Sequence, residues 1–246
     1  MPSQDGRTLD FAALGPAIVS GQRRIEAPLA PVPPARSTAW AESLGIKEQV
    51  STFTTQHACC ASRVTNIHRA ADLMQNFILE PGQTFSLNDT VGPRTVARGF
   101  VEAPVFYRMF TTDVGGGVSQ LSTTVFNAAW WGGFEIVEHQ PHSIWITRYP
   151  AGREATLNYG TIDNKFRNNS QHGALIHTSY TDTSITVSIY GDKEGKVVRE
   201  ENREVTSGRQ AAGAPFTVEF DRVIDQPPQP QVREHYRWRY QQAPPD

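Results

Sequence analysis

The sequence is short of cysteine, of one-sided charge and of long apolar runs, and each shortage narrows what the chain can be. Its two cysteines in 246 residues are neighbours, Cys59 and Cys60. Adjacent cysteines close at best a strained vicinal disulfide that shortens no loop, so no disulfide framework is expected. The pair reads either as two small buried residues or as a redox-active couple. A net charge of −2 gives the molecule no bulk attraction for nucleic acid or an anionic membrane surface. No stretch approaches the ~20 apolar residues that span a bilayer. The opening decapeptide, MPSQDGRTLD, has no basic region ahead of an apolar one, so it is not an export signal. Two readings follow: a cytosolic protein, or a chain whose export signal lies upstream of this sequence. The motifs below favour the second.

What is present fits a globular protein. Hydrophobic residues make up 38% and charged residues 20%, enough for one or two domains with a core. The segment LDFAALGPAIVSG near the N-terminus is a short helix candidate. Residues 27–39 hold four prolines in seven positions (Pro28, Pro31, Pro33, Pro34), an extended linker or edge segment. STFTT at 51–55 is β-prone. Apolar residues Ile67, Ala70, Ala71, Met74, Phe77 and Ile78 recur at helical spacing and predict a helix over about 64–78. Phe85 and Leu87 mark a short strand, and Gly99 to Tyr107 another. A second helix is predicted over 118–130, with Val118, Leu121, Val125 and Ala128 on its buried stripe and Ser119, Thr123 and Asn127 on a polar stripe beside it. Strands are expected at 143–148, 155–159, 174–180 and 184–190, the last two forming a hairpin. FTVEFDRVI and QVREHYRWRY, separated by PPQPQ at 227–231, add two strands in the tail. In the second of these Arg233, His235, Arg237 and Arg239 share one face, a solvated face or a polymer-binding one. The expected class is α+β: two main helices on a mostly antiparallel sheet, with a small β-rich C-terminal extension. The expected division is an N-terminal segment and Pro-rich linker over 1–49, a main domain over 50–192 and the extension over 193–246.

The segment GGGVSQLSTTVFNAA, 115–129, carries the most chemistry. Gly115, Gly116 and Gly117 free the backbone to turn sharply and admit another molecule closely. The helix that follows points its unpaired N–H groups at that space, which suits an anion or a developing oxyanion. Ser119 stands in the first turn, as a nucleophile candidate or as a cap. No Gly-Lys-Ser/Thr follows, which excludes a phosphate-binding loop of that kind, and no βαβ pattern surrounds the run.

This run resembles the signature of the VanW family, Gly-Gly-Gly-Val-Cys-Gln followed by Ser/Thr-Thr. The likeness extends upstream through FTT (53–55), RVTNIHRAA (63–71), PGQTFSLND (81–89) and VGPRT (91–95). It continues downstream through EIVEHQPHS (135–143), RYPAGREAT (148–156) and DNKFRN (163–168), and covers about 50–192. Residues 1–50 resemble the tail end of a peptidoglycan-binding domain that often precedes it. The resemblance implies a protein of the extracellular face of the bacterial cell envelope, membrane-anchored in full-length form by a segment absent from this sequence. Peptidoglycan stem peptides are the implied partner, with no nucleic acid and no cofactor. Some members are associated with L,D-transpeptidation, with the signature Cys as nucleophile. Ser119 stands in that place here, and a hydroxyl needs a general base where a thiol needs only a favourable field. Serine there is either native to a branch that also carries the Cys-Cys pair or an inactivating replacement.

The resemblance then nominates His142, in the retained block QPHS, as base, with His139 second. The structural alternative for His142 is an internally satisfied strand-start histidine. Glu138, His139 and His142 make a poor metal set, since His-x-x-His on extended chain lacks one-face geometry, and no metal is expected. Gln120, Thr123 and Asn127 are oxyanion or substrate donors, or local caps. Arg148 and Arg153 flank the turn Pro150-Ala151-Gly152 and suit the carboxylates of stem peptides; the alternative is an ion pair with Glu154 or Asp163. Two classes therefore stand: an acyl-transfer enzyme and a non-catalytic stem-peptide-binding module.

Overall fold

A computed structural model describes residues 2–21, 24–58, 61–107 and 109–244; Cys59 and Cys60 lie outside the described residues. The chain divides into two compact units, 1–45 and 46–246. In the first, β1 (Gly6–Leu9) leads to α1 (Phe11–Val19), β2 (Leu29–Val32) and α2 (Thr38–Ser43). The Pro-rich stretch supplies β2, which pairs antiparallel with β1 from Gly6↔Val32 to Leu9↔Leu29. Asp10 caps α1 by accepting from the Ala13 N–H at 3.0 Å, and Ser37 caps α2 by accepting from Trp40 at 3.1 Å.

The second unit begins with β3 (Glu48–Gln56), α3 (Ala61–Met74), β4 (Phe77–Leu79), β5 (Thr84–Ser86), α4 (Leu87–Val91), β6 (Glu102–Tyr107) and β7 (Met109–Val114). It continues with α5 (Val118–Trp131), β8 (Glu135–Glu138), β9 (Lys165–Arg167), β10 (Ala174–Thr181) and β11 (Ser184–Gly191), and ends with β12 (Val197–Gly208), β13 (Phe216–Gln226) and β14 (Gln229–Tyr240). Its sheets are antiparallel, in the orders β3-β11-β10-β4, β5-β9-β8, β12-β13-β14 and β6-β7. The class is α+β, as expected, but the helices exceed the two main ones foreseen: α1, α2 and α4 are added to α3 and α5.

Several boundaries differ from the sequence pattern. Helix α3 stops at Met74 because Asn76 turns left-handed (φ 58°). Phe77 and Ile78 then enter β4 against Ile176 and Leu175. Leu87 opens α4 instead of closing a strand, since the Ser86 hydroxyl accepts from the Asp89 N–H at 3.0 Å. Residues 143–148 and 155–159 form no strand. The tail carries a third strand, β12, whose charge on both faces hides its alternation.

Helix α5 is the centre of the unit. Val118 and Gln120 to Trp130 are all buried, as in a helix enclosed on every side. One face joins Ile67, Ala71 and Met74 of α3 and Ile185, Val187 and Ile189 of β11 in the main core. Another face, Phe126 and Trp130, packs with Ala151, Ala155, Phe216, Val218, Phe220 and Tyr240 in a second core. The C-terminal sheet thus covers the main domain's central helix.

The glycine run is itself packed. A Cβ on Gly115 would lie 2.6 Å from the Arg94 Cβ, and one on Gly117 would lie 2.5 Å from the Arg63 Cγ. Both glycines also have left-handed φ, +92° and +99°. At Gly116 a Cβ would collide with the Ala103 carbonyl of β6 and sit 2.8 Å from the Pro104 oxygen. Gly116→Ala is therefore expected to destabilise the fold by about 1–3 kcal/mol, read as a lower urea midpoint at unchanged slope.

Candidate functional site

The polar stripe of α5 grips one extended segment. The Asn127 side-chain amide donates to the Arg153 carbonyl at 2.8 Å, the Ala155 N–H donates to the Thr123 hydroxyl at 3.0 Å, and the Leu157 N–H donates to the Ser119 Oγ at 3.2 Å. Four residues of helix rise about 6 Å and two of extended chain about 6.6 Å, so helix positions 119, 123 and 127 run in step with 157, 155 and 153. Ser119 lies in the first turn of α5, half-buried, with its oxygen engaged by this backbone.

Gln120 is buried and fixed on the β3 side. Its amide donates to the Thr55 hydroxyl and the Gln56 carbonyl, each at 3.0 Å, and its Oε1 accepts from Arg63 at 2.5 Å. Below it, Thr55 and Thr124 hydroxyls meet at 2.8 Å, and Ser51 donates to the Ala128 carbonyl at 2.7 Å. The Asn66 amide reaches the Gly116 carbonyl at 3.0 Å, tying the glycine run to α3.

The two histidines stand at the other side of the 153–157 segment. The His139 ring stacks on Phe126 (3.7 Å, 7°), and its Nε2 donates to the Glu154 carbonyl at 2.6 Å. The Nδ1 of His142 is buried with no hydrogen-bond partner among the described residues. The His142 backbone carbonyl accepts from the Trp238 indole at 2.8 Å, and its N–H faces the Glu154 carboxylate. No hydrogen bond joins His142 to Ser119 among the described residues. Burial holds both imidazoles down at about 4, with Arg148 adding to the effect on His142.

The arginines separate into two environments. Arg148 is exposed and lies 5.0 Å over the Tyr149 ring. Arg153 is 8% exposed and sits between Trp130 (5.0 Å) and Trp131 (5.1 Å). The sequence suggested Glu154 or Asp163 as the ion-pair alternative for Arg153; its partner is Glu200 of β12, at 3.1 Å. Glu138 pairs instead with Lys165 at 2.8 Å. Among the described residues, no group of three or more His, Cys, Asp or Glu side chains could hold a metal. Nor is any helix long and apolar enough to cross a membrane.

Sequence reasoning missed Glu154 and Tyr240. Glu154 is wholly buried, accepting from the Tyr240 hydroxyl at 2.5 Å and the Ile146 N–H at 2.9 Å. Tyr240 in turn accepts from the Gly152 N–H at 2.6 Å. Burial outweighs these donors and pushes the Glu154 carboxyl up to about 8. The one signal the sequence offers is a carboxylate inside the retained block RYPAGREAT, which reads as an ion-pair partner for the arginines.

These shifts set opposite pH slopes. Glu154, raised from 4.5 to about 8, keeps a proton in the folded state that the unfolded chain has lost, so it lowers stability as pH rises through that window. His139 and His142, lowered from 6.5 to about 4, stay neutral where the unfolded chain is charged, so they raise stability with pH up to about 6.5. Two histidines outweigh one carboxyl below about pH 6.5, and Glu154 alone acts above it. The thermal midpoint is expected to peak near pH 6.5, and Glu154→Gln to flatten the alkaline side, measured by calorimetry across pH.

Residues 62–190, just over half of the chain, match the family described as VanW like protein. A Bacillus subtilis (strain 168) protein, "Uncharacterized protein YoaR", is 35% identical over 130 residues, 52% of this chain and 43% of that protein. The chain thus spans less than half the length of that relative. No solved structure matches it. With the glycine run, the helix it opens and the 135–168 blocks all inside the matched span, the chain belongs to the VanW family.

Proposed function

We propose that this chain is a module of the extracellular face of the bacterial cell envelope that binds peptidoglycan stem peptides without turning them over. Family membership supports the cell-wall setting. The observation that carries the non-catalytic part is the Ser119 oxygen, which accepts the Leu157 N–H within a ladder that holds the fold together. Its hydroxyl has no imidazole partner among the described residues, the Gln120, Thr123 and Asn127 side chains each hold an intramolecular hydrogen bond, and Arg153 is ion-paired with Glu200. A serine hydroxyl needs a base within hydrogen-bond reach to become a nucleophile. Arg148 has no acidic partner among the described residues and is the guanidinium best placed to hold a stem carboxylate.

The second reading is acyl transfer, with Ser119 as nucleophile and His142 as base. Its support is the position of Ser119 in the first turn of a 14-residue helix, where an anion is favoured. Intact-mass analysis with a stem tetrapeptide separates the two. No adduct is expected on the present chain, on Ser119→Cys or on Ser119→Ala, while calorimetry detects binding to all three. A mass shift on the serine protein, or only on the cysteine protein, would establish a reactive site and overturn the non-catalytic reading.

The arginines divide the same way. Arg148→Ala is expected to weaken stem-peptide binding about ten- to a hundredfold, as loss of a charged hydrogen bond does, with the melting temperature unchanged. Arg153→Ala should instead lower the melting temperature by several degrees. Equal affinity of Arg148→Ala and the parent would remove Arg148 from the site.

A further inference from the structure

Strands β8 and β14 each form the edge of their sheet: β8 pairs only with β9, and β14 only with β13. Both contribute to the lining of one cleft of about 490 Å³, within the range of ligand pockets. The cleft touches five consecutive residues of β14, from Glu234 to Trp238, and two consecutive residues of β8, Ile136 and Val137. Successive side chains of a strand point to opposite faces, so a cleft that meets consecutive residues meets the strand edge-on. Among the described residues, no backbone hydrogen bond is made on the outer side of β8, or of β14 before Gln241. The fold already uses the far end of this edge in the same way. There the Gln241 N–H donates to the Ser143 carbonyl at 2.8 Å, and Trp238 holds the His142 carbonyl.

The charges beside the cleft are neutralised from within the sheet. Glu234 accepts from Arg222 at 3.0 Å, His235 meets Asp221 at 2.9 Å, and Arg237 lies 3.4 Å from Glu219. Pro141, Phe220 and Tyr236 supply apolar lining. What remains unsatisfied is backbone donors and acceptors on two sheet edges that line one cleft beside both apolar and internally paired polar side chains. That pattern is complementary to an extended peptide, not to a charged ligand.

We infer that this cleft receives an extended segment of a partner protein, which adds as a strand between β8 and β14 with alternate apolar side chains turned to the apolar lining. This goes beyond stem-peptide binding and does not depend on it, since neither Ser119 nor Arg148 lines the cleft.

The test is amide hydrogen exchange on the full chain with a capped hexapeptide alternating valine with serine and threonine. Saturable slowing of exchange by about tenfold or more at 136–138 and 234–237 is expected. The same peptide N-methylated at alternate amides should lose that protection, because each methyl removes a ladder donor. Val137 falls at the irregularity between Ile136 and Glu138 where β8 does not pair with β9, so Val137→Pro spares the sheet. It should weaken hexapeptide binding about tenfold at an unchanged melting temperature. If that variant does not fold, the N-methylated peptide carries the comparison on the native chain. No protection at millimolar peptide, or equal protection by the N-methylated form, would overturn the inference. So would protection by chitotetraose in place of peptide, or concentration-dependent protection of these amides in the protein alone, which would mean self-pairing.

Discussion

Everything in the 46–246 unit depends on burying α5 with most of its polar side-chain atoms paired; among the described residues only the Asn127 Oδ1 and the Trp130 indole N–H of this helix are buried without a partner. A helix enclosed on all sides is usually apolar throughout, yet α5 carries Gln120, Ser122, Thr123, Thr124 and Asn127 at zero to one per cent exposure. An unpaired buried amide or hydroxyl costs about 1–3 kcal/mol, so each needs a partner supplied by the surrounding chain. Those partners come from β3 on one side and from residues 153–157 on the other. Asn164 adds a bond to the Ser122 carbonyl at 2.8 Å. The extended 153–157 segment is thus fixed by the helix's periodicity: it forms no strand because most of its hydrogen bonds go to side chains.

Fixing that segment determines what lies beyond it. Arg153 and Glu154 are neighbours, so extended chain sends their side chains to opposite faces. The arginine goes between Trp130 and Trp131, where its charge requires Glu200 from β12. The carboxyl goes inward, where it requires the Tyr240 hydroxyl from β14. A buried charge without its partner, as Arg153 would be, is strongly destabilising, and a buried carboxyl left without a hydrogen-bond partner costs about 1–3 kcal/mol. The C-terminal sheet is therefore part of the same folding unit as the family domain, because two consecutive residues of that domain are completed by its first and last strands.

This arrangement explains what could be read in the sequence. The stripe 119, 123, 127 was legible because helical periodicity is written in one segment. Its partner was not, since a run such as ATLNY carries the same β-prone pattern whether it pairs with a strand or with helix side chains. Strand β12 escaped because its inward charges, Glu200 among them, answer an arginine 47 residues earlier, and local alternation cannot register a distant counter-ion. The hairpin of β10 and β11 was legible for the opposite reason: Ile185, Val187 and Ile189 bury one face in the main core. Helix α3 was overrun by four residues because Phe77 and Ile78 fit a helical face and a half-buried edge strand equally well, and only the left-handed Asn76 decides between them.

The glycines and Ser119 show why the candidate site was the hardest part to read. An open glycine run before a helix and a tightly packed one have the same sequence. In the packed case every glycine is required by a neighbour, here Arg94, the β6 backbone and Arg63, and the helix end is enclosed. The Ser119 oxygen gives one of its two lone pairs to the Leu157 N–H. Thiols are weak acceptors, so a cysteine at 119 would hold the Leu157 N–H loosely, whereas serine makes the bond and closes the ladder. The exchange of one atom thus tightens the contact between α5 and residues 153–157.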